Sequence, residues 1–265
     1  MAPTSILFYK DVGHSQEGAQ EVVSLFGDKG VFDGPKPVRL LERLITLANL
    51  KEDSIVLDFF SGSATTAHAV MKKNAEKAKH SRFIMVQLPE EVSDKKKDQG
   101  YKNICEIGKE RIRRAGAKIK ADSPLTTQHL DTGFRVLKLD SSNMKDVFYS
   151  PKETSQLELF RYVDNVKDDR TSEDLLFQVM LELGATLDSK IEESEVDGKT
   201  IFNVGDGYLV ACFDQKVTDE VVTSIAKMQP TYAVLRDTSL ADDATATNFE
   251  QIFKTYAPNT TTKIL

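Results

Sequence analysis

A short β-rich run that ends in an acid and passes at once into small residues is the feature that most constrains this chain. Residues 54–60 (SIVLDFF) predict a strand, and residues 61–64 (SGSA) predict a tight loop. Residues 65–78 continue as a helix, and residues 82–88 (RFIMVQL) predict a second, buried strand. Strands that alternate with helices in this way are typical of parallel βαβ units, so the sequence predicts an α/β fold.

The spacing of apolar residues predicts the remaining helices and strands, and the chain is predicted to divide into four regions. The predicted helices cover residues 17–26, 38–47, 101–121, 174–183, 219–228 and 246–256, and the further predicted strands are 133–139 (GFRVLKL) and 232–235. A hairpin is predicted over residues 200–213, turning through Gly205-Asp206-Gly207. The predicted regions are an irregular tail at 1–30, a main domain at 31–140, a polar linker at 141–170 and a smaller α/β domain at 171–265.

Charge and composition restrict the class of protein. The net charge of −6 and the pI near 5.4 disfavour a domain that coats nucleic acid by bulk electrostatics. Neither a membrane-length apolar run nor a secretory signal is visible, which indicates a cytoplasmic protein. The cysteines and histidines lack metal-ligand spacing, so no metal site is expected. The lysines at 95–97 are interpreted as a solvated loop.

The loop after the first strand carries the most specific chemistry. Asp58 ends the strand, Gly62 lets the backbone approach a ligand, and Thr65 begins the helix. The free N–H groups of a first helical turn attract a carboxylate, while an acid can receive an ammonium group. A zwitterionic amino-acid moiety satisfies both halves of such a site.

Competing interpretations of the same loop are weaker. The loop lacks the lysine of a Walker phosphate loop and the glycine spacing of a dinucleotide fingerprint. A hydrolase would need a nucleophile elbow, and none is present. A purely structural role stays open, because Asp58 could simply cap the helix and Gly62 could simply permit the turn.

Longer blocks of sequence resemble a known family. The blocks 32–44 (FDGPKPVRLLERL), 54–71 (SIVLDFFSGSATTAHAVM) and 82–90 (RFIMVQLPE) resemble the β group of amino-methyltransferases. The blocks 5–22 (SILFYKDVGHSQEGAQEV) and 101–116 (YKNICEIGKERIRRAG) are closer still to the adenine-specific modification subunits of type III restriction-modification systems. The resemblance implies a partial Rossmann-like sheet of about three strands out of seven that uses S-adenosylmethionine, with a smaller C-terminal α/β domain.

The resemblance also implies which residues bind the cofactor. They would be Lys36, Pro37, Asp58, Phe59, Phe60, Ser61, Gly62, Ser63, Thr65, Thr66 and Gln87. Two positions depart from the family pattern. Gln87 stands where many relatives carry an acid for the ribose hydroxyls, and Ala64 replaces the usual third small residue, a glycine.

One family motif is missing from the chain. These enzymes hold the target adenine with an Asp/Asn-Pro-Pro-aromatic motif, and no Pro-Pro pair occurs in this sequence. The resemblance therefore implies a cofactor-binding C-terminal portion of an adenine-N6 methyltransferase that is inactive alone, with an apolar sheet edge left uncovered. The expected partners are double-stranded DNA, a second modification subunit or N-terminal half, and a restriction subunit. A structural assembly module with a vestigial cofactor site is the alternative.

Overall fold

A computed structural model describes residues 6–28, 30–145, 165–236 and 243–265, without the side chains of 243–247. The chain divides into two compact units, Met1–Phe134 and Arg135–Leu265, and each is described by itself. Most of the predicted linker, residues 146–164, lies outside the described residues. In the described part of the chain, none of the helices combines the length and the apolar character that crossing a membrane requires.

The N-terminal unit is helical around a small parallel sheet. Its described helices are α1 (Tyr9–Val12), α2 (Ser15–Phe26), α3 (Val38–Ala48), α4 (Thr65–Lys77), α5 (Asp94–Asp98) and α6 (Ile104–Asp122). Its described strands are β1 (Ile55–Asp58) and β2 (Arg82–Met85), which run parallel with Ile55 opposite Arg82 and Asp58 opposite Met85. The predicted strand, loop, helix and parallel second strand are therefore confirmed, with both strands shorter than expected.

Helix α4 is the centre of this unit. Ala67 and Met71 pack against Ile112 of α6, while Ala69 and Val70 pack against α3. All four α4 side chains are almost completely buried. Small residues let neighbouring helices approach closely, and this contact fixes the direction in which the start of α4 points.

One face of the sheet formed by β1 and β2 is not covered by the described part of the unit. Alternating side chains along β1, β2 and the residues after them are apolar and roughly half exposed or more, with Leu57 at 57% and Leu88 at 68%. We call this set the open sheet face: Ile55, Leu57, Phe59, Ile84, Val86 and Leu88. The description of residues 82–88 as a buried strand was therefore wrong for this face, because no described element of the unit covers it.

Two other sequence predictions were wrong. Residues 133–139 form no strand, and none of the described strands pairs with them. An apolar run needs a neighbouring backbone to become a strand, and Leu139 is fully exposed instead. The unit thus has two described strands rather than three. The lysines at 95–97 belong to the short helix α5, where Lys96 pairs with Asp33 and Lys97 with Glu91.

The C-terminal unit is built on a five-stranded mixed sheet. Its described elements are α7 (Ser172–Glu182), β3 (Ile191–Val196), β4 (Lys199–Val204), β5 (Leu209–Cys212), α8 (Asp219–Lys227), β6 (Tyr232–Leu235), α9 (Asp243–Tyr256) and β7 (Thr261–Ile264). The order is β3-β4-β5-β6-β7, antiparallel up to β5 and parallel beyond it. The predicted hairpin, the three helices and the strand at 232–235 are confirmed, whereas β3 and β7 were not predicted.

Both faces of this larger sheet are covered. Alternate residues of β4, β5 and β6 enter two separate apolar clusters, one with α8 and α9 and the other with α7. Val210 and Leu209, which are neighbours in β5, illustrate the alternation: each is fully buried, in different clusters. Cys212 is buried in the first cluster, and both cysteines of the chain, Cys105 and Cys212, are free thiols.

Candidate cofactor site

The loop from Asp58 to Thr66 is held by a close set of hydrogen bonds. Asp58 accepts from the Thr66 hydroxyl at 2.5 Å and from the backbone N–H of Phe60 at 3.2 Å. The Gly62 N–H donates to the side-chain oxygen of Gln87 at 2.8 Å, and the Ser61 N–H donates to the Val86 carbonyl at 3.2 Å. The loop is therefore fastened to α4 and to the two residues that follow β2.

Two small residues give the loop its shape. Gly62 has φ +52°, and a Cβ there would lie 3.2 Å from the ring of Phe32. Ala64 adopts φ +59° and ψ +38° immediately before α4. That left-handed conformation costs an ordinary residue about 1 kcal/mol or more relative to glycine. The chain makes this turn with alanine, at the position where the resemblance implies a glycine in the family.

The hydroxyl groups of the loop point in two directions. The Thr66 hydroxyl is bound to Asp58, whereas those of Ser63 and Thr65 accept hydrogen bonds from the Arg111 guanidinium at 2.8 and 2.7 Å. Ser63, Thr65 and Thr66 are all buried. Ser63 and Thr65 therefore anchor the loop from the interior of the unit, while Asp58 remains half-buried at its mouth.

Two aromatic rings flank the mouth. Phe59 and Phe60 are 62% and 80% exposed, with their centroids 5.1 Å apart. Exposed phenylalanines next to a half-buried acid offer an apolar surface beside a charge. Such a surface suits a ligand with one apolar and one polar end.

The Lys-Pro segment lies before α3. Pro37 caps the N-terminus of α3 with an extended backbone, and Pro37 is buried whereas Lys36 is exposed. The N–H of Val38, the first residue of α3, donates to both carboxylate oxygens of Glu21 at 3.1 and 3.0 Å. The structure therefore joins Asp58, Ser61, Gly62, Thr66 and Gln87 by direct hydrogen bonds around one loop, while Lys36 and Pro37 belong to a separate segment tied to α2.

Charged residues behind the loop were missed by sequence reasoning. Arg111 is completely buried, and burial lowers its pKa to about 10, so the guanidinium is charged at neutral pH. Burial also lowers the pKa of His68 to about 3, with Arg111 as a second cause, so its imidazole is neutral. Burial raises the pKa of the Glu21 carboxyl. Among the described residues, no group of three or more side chains is arranged to hold a metal ion.

The segment that forms this loop is similar in sequence to known proteins. Residues 5–114 match the protein family described as DNA methylase, N6_N4_Mtase, which covers β1, the loop and α4. The N-terminal unit belongs to that family. The chain is also similar to modification subunits of type III restriction-modification enzymes, so the resemblance seen in the sequence is confirmed.

Three such relatives show how far the similarity extends. The StyLTI Mod subunit of Salmonella typhimurium is 45% identical over 130 residues, 48% of this chain and 19% of the relative. The EcoPI Mod subunit of Escherichia phage P1 is 33% identical over 215 residues, 79% of this chain and 31% of the relative. The EcoP15I Mod subunit of Escherichia coli is 34% identical over 186 residues, which are 68% of this chain and 26% of the relative. The chain thus spans between a fifth and a third of the length of these relatives.

Proposed function

We propose that the N-terminal unit is the S-adenosylmethionine-binding part of a site-specific DNA adenine-N6 methyltransferase, of the kind that serves as a type III modification subunit. The observation that carries this proposal is the position of Asp58 beside the N-terminus of α4, in a segment that matches the DNA methylase family. The sheet of β1 and β2 would be part of a Rossmann-like methyltransferase sheet.

The chemistry of the loop suits the methionine end of that cofactor. The first-turn N–H groups of α4 have no partners within the helix and favour a carboxylate, while Asp58 favours an ammonium group. Gln87 supplies an amide for the ribose hydroxyls in place of the acid of many relatives. The exposed rings of Phe59 and Phe60 would contact the apolar part of the ligand, and Lys36 would approach from the segment before α3.

Methyl transfer itself would require a further segment. Transfer to adenine needs an extruded base whose amino group is held by oriented acceptors, and this chain has no Asp/Asn-Pro-Pro-aromatic motif. We propose that a polypeptide carrying that motif, a modification-subunit copy or an N-terminal half, packs on the open sheet face. Double-stranded DNA and a restriction subunit would be partners of that assembly in the cytoplasm.

A structural assembly module is the second candidate. Two features favour it: Gln87 lacks the charge of the family's acid, and the Ser63 and Thr65 hydroxyls are already bound to Arg111. In such a module the loop would only support the fold, and the open sheet face would be the functional surface. Cofactor binding separates the two candidates.

The test is calorimetric titration of the chain with S-adenosylhomocysteine. We expect measurable binding that Asp58→Ala weakens by about 1.5–3 kcal/mol, roughly tenfold to 150-fold, the range for a charged hydrogen bond. Asp53→Ala, at an exposed acid shortly before β1, is the matched control and should bind as the parent does. Lys36→Ala should weaken binding less than Asp58→Ala, since an exposed lysine acts as a flexible point charge.

Equal affinity of Asp58→Ala and the parent would reject Asp58 as part of the site. Absence of binding by the parent would favour the structural module. A loss of the same size in Asp53→Ala would mean that the variants alter the folding of the unit rather than one contact.

A further inference from the structure

A fully buried arginine stands behind the candidate cofactor loop. Arg111 of α6 has no exposed surface, and one of its terminal nitrogens, Nη1, donates to the hydroxyls of Ser63 and Thr65. The other terminal nitrogen, Nη2, lies 3.6 Å from a carboxylate oxygen of Glu21. Both Nη2 and Nε lack a hydrogen-bond partner. The guanidinium thus touches the loop on one side and a counter-charge on the other.

Glu21 of α2 in turn holds the segment that carries Lys36. Both of its carboxylate oxygens accept from the N–H of Val38, one residue beyond the Lys36-Pro37 pair. A continuous series of contacts therefore runs from Val38 through Glu21 and Arg111 to Ser63 and Thr65. It joins the two separate segments that would bind the cofactor.

A glycine lies three residues before each charged residue, and at Gly18 the close helix contact requires it. A Cβ on Gly18 would lie 2.3 Å from the Pro35 carbonyl oxygen, so α2 can meet the Lys-Pro segment only with glycine there. A Cβ on Gly108 would lie 3.4 Å from the Gly62 carbonyl oxygen, so α6 also runs close under the loop. Each helix thus presents a glycine and, on the same face one turn later, a charged side chain.

We infer that Glu21 and Arg111 are positioning residues whose ion pair couples the Lys36-Pro37 segment to the Gly62–Thr66 loop, so that the cofactor affinity of one segment depends on the other. This inference rests on the proposed function for its ligand. Both residues act through the backbone and the hydroxyl groups that they hold.

The physical basis is the complete burial of Arg111, which faces a Glu21 side chain that is itself only 24% exposed. A buried ion pair adds little net stability, but removal of one partner leaves an uncompensated charge that the surrounding structure must accommodate. Against the effect of burial, which lowers the pKa of Arg111, the Glu21 carboxylate raises that pKa, and His68, which lies near the guanidinium, is neutral. Loss of the Glu21 charge should therefore loosen Arg111 and, with it, the loop that Glu21 does not contact.

Hydrogen exchange of the ligand-free chain tests the coupling in both directions. Glu21→Gln keeps one acceptor for the Val38 N–H but removes the charge that faces Arg111. It should speed amide exchange of peptides over residues 59–66 by about tenfold, within the usual range of coupling between sites. Arg111→Lys keeps the charge but lacks the planar fork, and it should speed exchange over residues 36–41, which Arg111 does not contact.

A matched control lies one turn away on α2. Glu17 pairs with Arg39 at the surface, and Glu17→Gln should leave residues 59–66 unchanged. Peptides of the C-terminal unit serve as the internal standard. The inference is overturned if Glu21→Gln changes only residues 36–41, changes nothing, or speeds all peptides of α4 and α6 to the same degree, since the last result means general loosening.

Titration with S-adenosylhomocysteine connects the coupling to the ligand. Glu21→Gln should bind about tenfold more weakly than the parent, whereas Glu17→Gln should bind as the parent does. A parent chain that fails to bind contradicts the proposed function, while hydrogen exchange still decides the coupling. A parent that binds, together with a Glu21→Gln variant of equal affinity, contradicts the inference and leaves the proposed function standing.

Discussion

The two units of this chain contain sheets of opposite character. The five-stranded sheet of the C-terminal unit has apolar clusters on both faces, and its edge strand β3 carries the exposed acids Glu192, Glu193 and Glu195. Charged edge strands discourage pairing with another chain. The two-stranded sheet of the N-terminal unit has one covered face, and its open face is apolar.

The buried polar and charged side chains are concentrated in the N-terminal unit, the unit whose sheet has an uncovered face. Among the described residues, every buried polar or charged side chain lies in the N-terminal unit: Glu42, Ser63, Thr65, Thr66, Asn74, Ser81, Arg111 and Thr127. The C-terminal sheet is therefore covered by apolar clusters on both faces, whereas the N-terminal unit leaves an apolar sheet face exposed and buries polar groups behind the proposed cofactor loop. Large exposed apolar patches commonly mark interaction sites.

Matched leucine truncations should separate the two sheets most strongly. Leu209 in β5 is fully buried, and Leu209→Ala should destabilise its unit by about 2–5 kcal/mol through lost burial and a cavity. Leu57 in β1 is 57% exposed, and Leu57→Ala should change stability by about 0.5 kcal/mol or less. Urea-dependent hydrogen exchange gives the free energy of unfolding for each unit separately. Equal costs would show that the open sheet face is already covered, for example by self-association.

Acid sensitivity should also distinguish the units. His68 has a folded pKa of about 3, below its ordinary value of 6.5, so its contribution to stability is complete above pH 6.5 and is lost as the pH falls toward 3. Between pH 7 and pH 5 the N-terminal unit should lose up to about 2 kcal/mol through this group. His68→Gln should remove that loss, and His80→Gln, at an exposed histidine, should not.

The same exchange measurements at the two pH values check this prediction. Peptides of α4 report the N-terminal unit, and peptides of α8 report the C-terminal unit. An unchanged pH dependence in His68→Gln would mean that the imidazole is solvated, contrary to its buried and unpartnered Nδ1.

The sequence predicted those features that depend on local pattern. The run that ends at Asp58 and the small residues after it indicate the strand, the loop and the start of α4 from local pattern. Pairing with β2 and the contacts of Gln87 and Arg111 then hold them in place. β3 was missed because residues 191–196 (IEESEV) are too polar to indicate a strand, and they gain their place only by pairing with β4. Residues 133–139 have the pattern of a strand but no partner among the described strands.

The charged residues behind the loop could be predicted from the sequence only in part. Arg111 lies on the same helical stripe as Ile107, Ile112 and Ala115, all of which are buried. That spacing could have indicated a buried arginine within α6, which was predicted only as a basic amphipathic helix. Its partner Glu21 comes from α2, ninety positions earlier, and no local pattern indicates that contact. Pairing across such a separation is decided by tertiary packing.

We propose that this chain supplies the cofactor-binding part of a methyltransferase and that a polypeptide with the Pro-Pro motif holds the adenine. The most direct measurement is tritiated methyl transfer to unmethylated genomic DNA, with the chain alone and with a co-expressed N-terminal segment of a type III modification subunit that contains the Pro-Pro motif. That segment alone is the control. We expect no incorporation by either part alone and incorporation by the two together, abolished by Asp58→Ala. Clear incorporation by the chain alone, or none by the pair, would rule out the proposed function.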